Sequence, residues 1–486
     1  MKINYAALRR LEAILFIIVI ASGFIVVLNL YITKGVSWDF IAHYLNAETL
    51  LRQGFYSHIV FLGNSTVIEN NGFYFEAARA PAAAALMAIL IASTGRLSIP
   101  FYIAALFALL GAAIWITSKK LGITPLLGAS LLVSPYLLLF TFLFNSTEIL
   151  SLIFVMLTLA FVAEKRSSAG IFMALAGMAK YTSLIFLPLL LLLGKPKKIF
   201  YSAIYLIAVT LPWIVFNYVF FGNPIYSYYK AIIVAVASTH SSFLSIGVLE
   251  TLLSSLILPV SLLALFVIVK KLRDRKHKTH KKSRKHTLTK GFLHSNAFLL
   301  VSFISLGFVD LFILGLHNQA FDQERFGYFF YAAAALIVAF GLSRNSMAVK
   351  FRMFGRSIST VDITPYLFFA VAMFFIVSLY YVESMSGFSW MAQGSNNAVF
   401  GNAIASIKTD GLYGCRFVSN GWIYLKFYGI HAFSPFYYNS SIDKYPIILF
   451  NNIGVPTGTV HVPYQSTTQS YGNYSIVFPK GYICSH

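Results

Sequence analysis

Carboxylates are what this chain has least of. Asp and Glu together number 16 in 486 residues, and charged residues of both signs make up only 11%. With so few acids, a carboxylate standing at a membrane rim needs a reason, and chemistry is the best one. Cysteine is almost as rare: Cys415 and Cys484 are the only two, both near the C-terminus. No Cys and His spacing of a metal site occurs. A disulfide between Cys415 and Cys484, if that end faces an oxidising exterior, and two separate thiols both remain open. The two-residue alternation of a membrane barrel is missing, and so is an internal repeat. The first apolar segment is too long for a secretory signal and lacks the small-residue cleavage site, so it reads as a retained span.

Apolar runs are what the chain has in abundance. Hydrophobic residues make up 58% and the mean hydropathy is +0.74. A spanning helix needs about 20 apolar residues because the hydrocarbon core is about 30 Å thick, and backbone polar groups in lipid must be satisfied within the segment. Candidate spans are 12–32, 98–118, 123–141, 149–163, 199–221, 243–269, 292–316, 326–343 and 364–382. Two short helices over 169–194, with Lys180 near their apex, bring the expectation to about 11 spans, all helical. Residues 81–94 are short for a span and read as a juxtamembrane or re-entrant helix.

The net charge of +21 raises the question of a nucleic-acid partner, but the charge clusters in loops between spans. Residues 270–290 alone hold eleven Lys and Arg against Asp274. Such runs mark cytoplasmic loops beside anionic headgroups. Lys2, Arg9 and Arg10 place the N-terminus inside, and Lys119-Lys120, Glu164-Lys165-Arg166, Lys195–Lys198 and Arg344–Arg356 make further inside patches. Residues 33–97, 222–242, 317–325 and 383–486 then lie outside, where the sequons Asn64-Ser65-Thr66, Asn439-Ser440-Ser441 and Asn473-Tyr474-Ser475 also fall. The expected organisation is a membrane module over 1–382, with a first exterior loop at 33–80, followed by an exterior α/β or β-rich domain over 383–486.

The exterior side gathers the ionisable residues. The first loop holds Asp39, His43, Glu48, Arg52, Glu69, Glu76 and Arg79. In a helix, Asp39, His43 and Asn46 share one face; they line either a cleft or a solvated rim. Glu148 opens a span, Lys180 caps the short hairpin, and Asp322, Glu324 and Arg325 fill a later loop. Several ionisable groups on one leaflet suggest a common cavity; the bland alternative for Lys180 and Arg325 is snorkelling to headgroups. Asp310 lies within a span and reads as structural, a helix-packing or pathway residue.

Four blocks in this order give the chain its likeness to a known superfamily. They are Asp39 with His43-Tyr44; Tyr74-Phe75-Glu76-Ala77-Ala78-Arg79-Ala80-Pro81; Asn145-Ser146-Thr147-Glu148; and Ala169-Gly170 through Met178-Ala179-Lys180 to Leu187-Pro188-Leu189, with Gln323-Glu324-Arg325-Phe326 before a late span. The pattern resembles the GT-C glycosyltransferases, polytopic enzymes that use polyprenyl-phosphate-linked sugars and include protein mannosyltransferases and lipid A aminoarabinose transferases. It departs from them where Arg79-Ala80-Pro81 replaces a His-Pro-Pro or Lys-Pro-Pro and where Glu148 stands without a neighbouring Asp. A missing Trp-Trp-Asp-Tyr-Gly block argues against an oligosaccharyltransferase catalytic subunit.

The resemblance implies an inverting glycosyltransferase at the outer face of a cell membrane, with a polyprenyl- or dolichyl-phosphate sugar donor and a protein, glycolipid or glycan acceptor. Asp39 would be the base, with His43 or Glu148 orienting it. Arg79, Lys180 and Arg325 would meet the phosphate, and Glu76 and Glu324 would join the substrate site. No cofactor is firmly implied, though a divalent cation near Asp39 and Glu148 occurs in some relatives. The mix of Lys, Ile and Tyr with exterior sequons would fit an archaeal source. The alternative is a secondary transporter or a flippase for lipid-linked sugars; against it stand the missing repeated halves and matched broken helices. A catalytically idle membrane scaffold with an exterior binding domain is a third reading.

Overall fold

A computed structural model describes residues 5–53, 67–70, 73–76, 79–134, 137–138, 146–229, 231, 296–311, 327–344, 348–353, 356–362, 364–385, 398–433, 445–450, 466–480 and 482. These are mostly helical, with a small sheet near the C-terminus. Helix α1 (Tyr5–Lys34) breaks at Gly35 and leads into α2 (Trp38–Gln53). The hairpin β1 (Val67–Asn70) and β2 (Phe73–Glu76) follows, then α3 (Ala82–Thr94), α4 (Ser98–Leu121) and α5 (Pro125–Leu132). Next come α6 (Ser146–Ala163), α7 (Ala169–Ala179), a 3₁₀ segment (Tyr181–Leu193) and α8 (Pro196–Phe221). Three later helices are α9 (Asn296–Asp310), α10 (Tyr328–Arg344) and α11 (Thr364–Met385).

Three of these helices are long and apolar enough to cross a membrane: Ala6–Thr33 within α1, α4, and α8. Their outer faces carry large apolar side chains with no protein cover, such as Ile14, Ile17 and Ile25 on α1 and Phe200, Ile207 and Val219 on α8. Contiguous exposed apolar surface of this kind suits a membrane. Seven shorter apolar helices accompany them. The described residues therefore do not carry the expected count of about 11 spans. Many segments are shorter than a bilayer is thick, and the run 243–269 lies outside the described residues.

One expected span is interrupted for a local reason. Over 123–141 the helix stops at Leu132, and Val133 leaves helical geometry at ψ 71°. Pro135 follows, and a proline disfavours helical backbone in the residue before it. A second difference lies in the basic stretch after α10, where β3 (Ala348–Met353) and β4 (Arg356–Asp362) pair as an antiparallel hairpin.

The expected hairpin over 169–194 is present as two short helices. Lys180 stands between them with extended backbone (φ −153°, ψ 121°). At the far end the Lys165 Nζ donates to the Leu192 carbonyl at 2.5 Å, and the Lys198 Nζ donates to the Lys165 carbonyl at 2.6 Å. The chain thus leaves the basic end, turns at Lys180 and returns. Pro188 lies inside the 3₁₀ segment, where its missing N–H and ring bar a regular α-helix. Small residues let the helices close up: a Cβ on Gly170 of α7 would lie 1.9 Å from the Ser202 carbonyl oxygen of α8.

Near the C-terminus, α12 (Ala398–Thr409) precedes a five-stranded sheet. It comprises β5 (Arg416–Ser419), β6 (His431–Phe433), β7 (Ile447–Phe450), β8 (Ser466–Ser470) and β9 (Tyr474–Pro479) in the order β6-β5-β7-β9-β8. β5 runs parallel to β6 and β7, and the other pairs are antiparallel. The short helix α13 (Trp422–Phe427) joins β5 to β6, so the sheet is α/β in character. The buried Asn420 amide accepts from the Phe450 N–H at 2.9 Å and donates to its carbonyl at 2.8 Å, which fixes the end of β5 against β7. Cys415 is buried and disulfide-bonded; the chain's other cysteine, Cys484, lies outside the described residues.

Candidate functional site

The polar face of α2 turns inward. Asp39 opens the helix, and His43 and Asn46, four and three residues on, are 3% and 0% exposed. A solvated rim helix would expose them, so that alternative is set aside for these residues. α2 packs against α3 on one side and α13 on the other, where the Tyr44 and Phe427 rings meet edge to face at 5.5 Å.

Two largely buried ion pairs come from four separate segments. Arg79 Nη2 donates to Asp39 Oδ1 at 3.0 Å, with side chains 11% and 14% exposed. Lys180 Nζ donates to Glu148 Oε1 at 2.6 Å, with side chains 15% and 0% exposed. Thr147 Oγ1 donates to the other Glu148 oxygen at 3.2 Å. The pairs are joined through the residue after Lys180: the Tyr181 hydroxyl donates to the Arg79 carbonyl at 3.2 Å and accepts from Trp213 Nε1 at 3.0 Å. Each cation thus sits where its chain segment bends, Arg79 just before Pro81 and Lys180 between two helices, and Tyr181 ties the bends together.

Around the second pair, the Lys180 ammonium lies 5.1 Å from the centre of the Tyr328 ring, and the Tyr328 and Ser151 hydroxyls are 3.1 Å apart. Asp310, at the last turn of α9, is 1% exposed, and the charges acting on it are Lys180 and Glu148. Neither of its carboxylate oxygens has a hydrogen-bond partner. Beside the first pair, His43 Nδ1 is likewise buried and without a partner. Burial, and then the Arg79 charge, hold the His43 imidazole down to about 3 against the opposing pull of Asp39. At neutral pH His43 is an uncharged imidazole.

No protein-family model matches this chain, and no curated protein matches it either. The functional reading therefore rests on the residues themselves.

Of the residues singled out from sequence, Asp39, His43, Arg79, Glu148 and Lys180 come together here. Glu76 lies on β2 opposite Val67. Glu324 and Arg325 lie outside the described residues. Tyr181, Trp213 and Tyr328 were missed, and Asp310 was read as structural. For Tyr181 and Tyr328 the available signal was position, directly after Lys180 and three residues after Arg325. Among the described residues, no group of three or more His, Cys, Asp or Glu is placed to hold a metal ion. Asp39 and Glu148 each face a cation, so these carboxylates do not fit a shared divalent ion as they stand.

Proposed function

We propose that this chain is an integral membrane glycosyltransferase that moves a sugar from a polyprenyl- or dolichyl-phosphate donor to an acceptor hydroxyl near the outer face. In this reading the N-terminus is cytoplasmic and the C-terminal sheet is exterior. The observation that carries the proposal is the linkage of two largely buried carboxylate–cation pairs through Tyr181. Buried ion pairs are seldom kept for stability alone, since desolvation offsets much of their attraction. Two of them side by side in an acid-poor chain favour a site that handles charge.

The chemistry follows from the pairs. The acceptor oxygen attacks the anomeric carbon, its proton passes to the Asp39 carboxylate, and the bond from that carbon to the phosphate oxygen breaks. The electron pair leaves with the phosphate, whose growing charge Arg79 and Lys180 stabilise. One base without an enzyme nucleophile gives inversion at the sugar. Asp39 bound to Arg79 is a weakened base. A donor phosphate competing for the guanidinium fork loosens that grip, so base activation is coupled to donor arrival. His43, neutral beside them, can orient the acceptor without adding charge.

Depth supports a lipid-borne donor. From the basic end at Lys165, α7 rises 11 residues, or about 17 Å at 1.5 Å per residue, within a core of about 30 Å. Lys180 then lies in the outer half of the bilayer, below the headgroups, where a phosphate on a lipid can be drawn in. The alternative, a transporter or flippase for lipid-linked sugars, draws on the buried Asp310, which suits a pathway residue. Incubating purified protein with labelled polyprenyl-phosphate sugars and an acceptor preparation separates the readings. A transferase releases polyprenyl phosphate, whereas a flippase moves the intact donor across vesicles and releases none.

A further inference from the structure

Asp310 is the one carboxylate of the cluster that neither ion pair uses. Its position is well enclosed: α9 packs on α10, on the 3₁₀ segment and on α6, and Gly307, one turn earlier, brings α9 within 3.0 Å of the Phe330 backbone as measured from an added Cβ. Phe303 of α9, Phe186 of the 3₁₀ segment and Phe329 of α10 fill the space beneath with rings 4.5 and 5.3 Å apart. A carboxyl group has room for about four hydrogen bonds, and both Asp310 oxygens make none while 1% exposed. Buried acceptors are ordinarily satisfied, and an exception asks for the group that is missing.

The missing group must hydrogen-bond to both oxygens. The charges acting on Asp310 are Lys180 and Glu148, and those two are already paired with each other. A neutral ring bearing neighbouring hydroxyls supplies O–H donors to both oxygens without adding negative charge. We propose that Asp310 receives hydroxyls of the sugar carried by the lipid donor and so sets which sugar is accepted. This rests on the glycosyltransferase reading for the donor's identity, but the sugar contact itself does not require transfer to occur. In this arrangement the phosphate lies toward Arg79 and Lys180 and the sugar ring extends toward Asp310, above the aromatic floor.

The test compares binding of two lipids by the full-length protein in detergent: a polyprenyl-phosphate hexose and bare polyprenyl phosphate. Wild type is expected to bind the sugar-bearing lipid more tightly, and Asp310→Asn to erase about tenfold or more of that preference, as loss of buried hydrogen bonds does. Affinity for bare polyprenyl phosphate should be level or higher in the variant. A series of single-deoxy hexose donors on wild type gives a readout that needs no variant, with one hydroxyl position expected to cost about tenfold. Thermal stability separates a structural role: removing an unpartnered buried carboxylate should leave the melting temperature level or higher. The proposal is overturned if Asp310→Asn weakens both lipids equally, if the variant unfolds at a lower temperature with the sugar preference intact, or if no deoxy donor binds more weakly. If wild type prefers the sugar lipid but releases no polyprenyl phosphate, the sugar contact stands and the transferase reading falls.

Discussion

At the scale of single residues, His43 offers the clearest test of the site's electrostatics. An unfolded imidazole takes up a proton near 6.5, whereas the folded one is held down to about 3 by burial and Arg79. Between those values the unfolded chain binds more protons, so stability is full above about 6.5 and is lost as the pH falls toward 3. His43→Gln should flatten this acid dependence, by up to about 1.4 kcal/mol per pH unit. Thermal unfolding of the detergent-solubilised protein from pH 4 to 7 measures it, and identical slopes for variant and wild type would place His43 in a wetter setting. Much of this neighbourhood was legible in sequence. The spacing of Asp39, His43 and Asn46 gave a shared helical face, and the scarcity of acids made Asp39 and Glu148 conspicuous. Their partners were not legible as pairs, because Arg79 and Asp39 are 40 residues apart and Lys180 and Glu148 are 32 apart. Asp310 was read as structural since nothing adjacent in an apolar run says which charges the fold will bring to it.

Among the elements, the close crossing of α7 and α8 is what holds Lys180 and Tyr181 in place. Gly170→Ala would put a methyl 1.9 Å from the Ser202 carbonyl, so the helices must part. The expected cost is about 1–3 kcal/mol, seen as a lower melting temperature, and an unchanged melting temperature would mean that the crossing yields freely. A second element-scale expectation concerns α13, which rests on α2. Burial lowers the Lys426 ammonium to about 8, while an unfolded lysine keeps its proton to about 10.4. Stability should therefore rise between pH 8 and 10.4, and Lys426→Met should raise the melting temperature at pH 7 by removing the partly buried charge. A drop instead would show that the cation's seat over the Trp422 ring, 5.4 Å from its centre, outweighs the cost of burial. Proline and charge marked the element ends well, as at Lys180 and the Gly194-Lys195-Pro196 turn. Averaged hydropathy hid the break before Pro135, and the basic composition of 348–362 disguised a β-hairpin as a plain loop.

For the whole molecule, the helical character and the C-terminal sheet follow from the apolar runs and from the change of composition past residue 383. The number of membrane crossings does not, because short helices such as α3, α7 and the 3₁₀ segment bury apolar side chains against one another and hydropathy cannot tell that from burial in lipid. What unites the scales is a largely buried, paired set of charges. In the proposed reaction Asp39 takes the acceptor's proton as polyprenyl phosphate leaves. The most direct measurement is the rate of labelled polyprenyl phosphate release from a polyprenyl-phosphate sugar by purified wild type and by Asp39→Asn, each checked for a monodisperse folded state. The expected result is acceptor-dependent release by wild type, falling about 10²–10⁴-fold in the variant. Release by Asp39→Asn within about threefold of wild type, set against that expected loss, would contradict it.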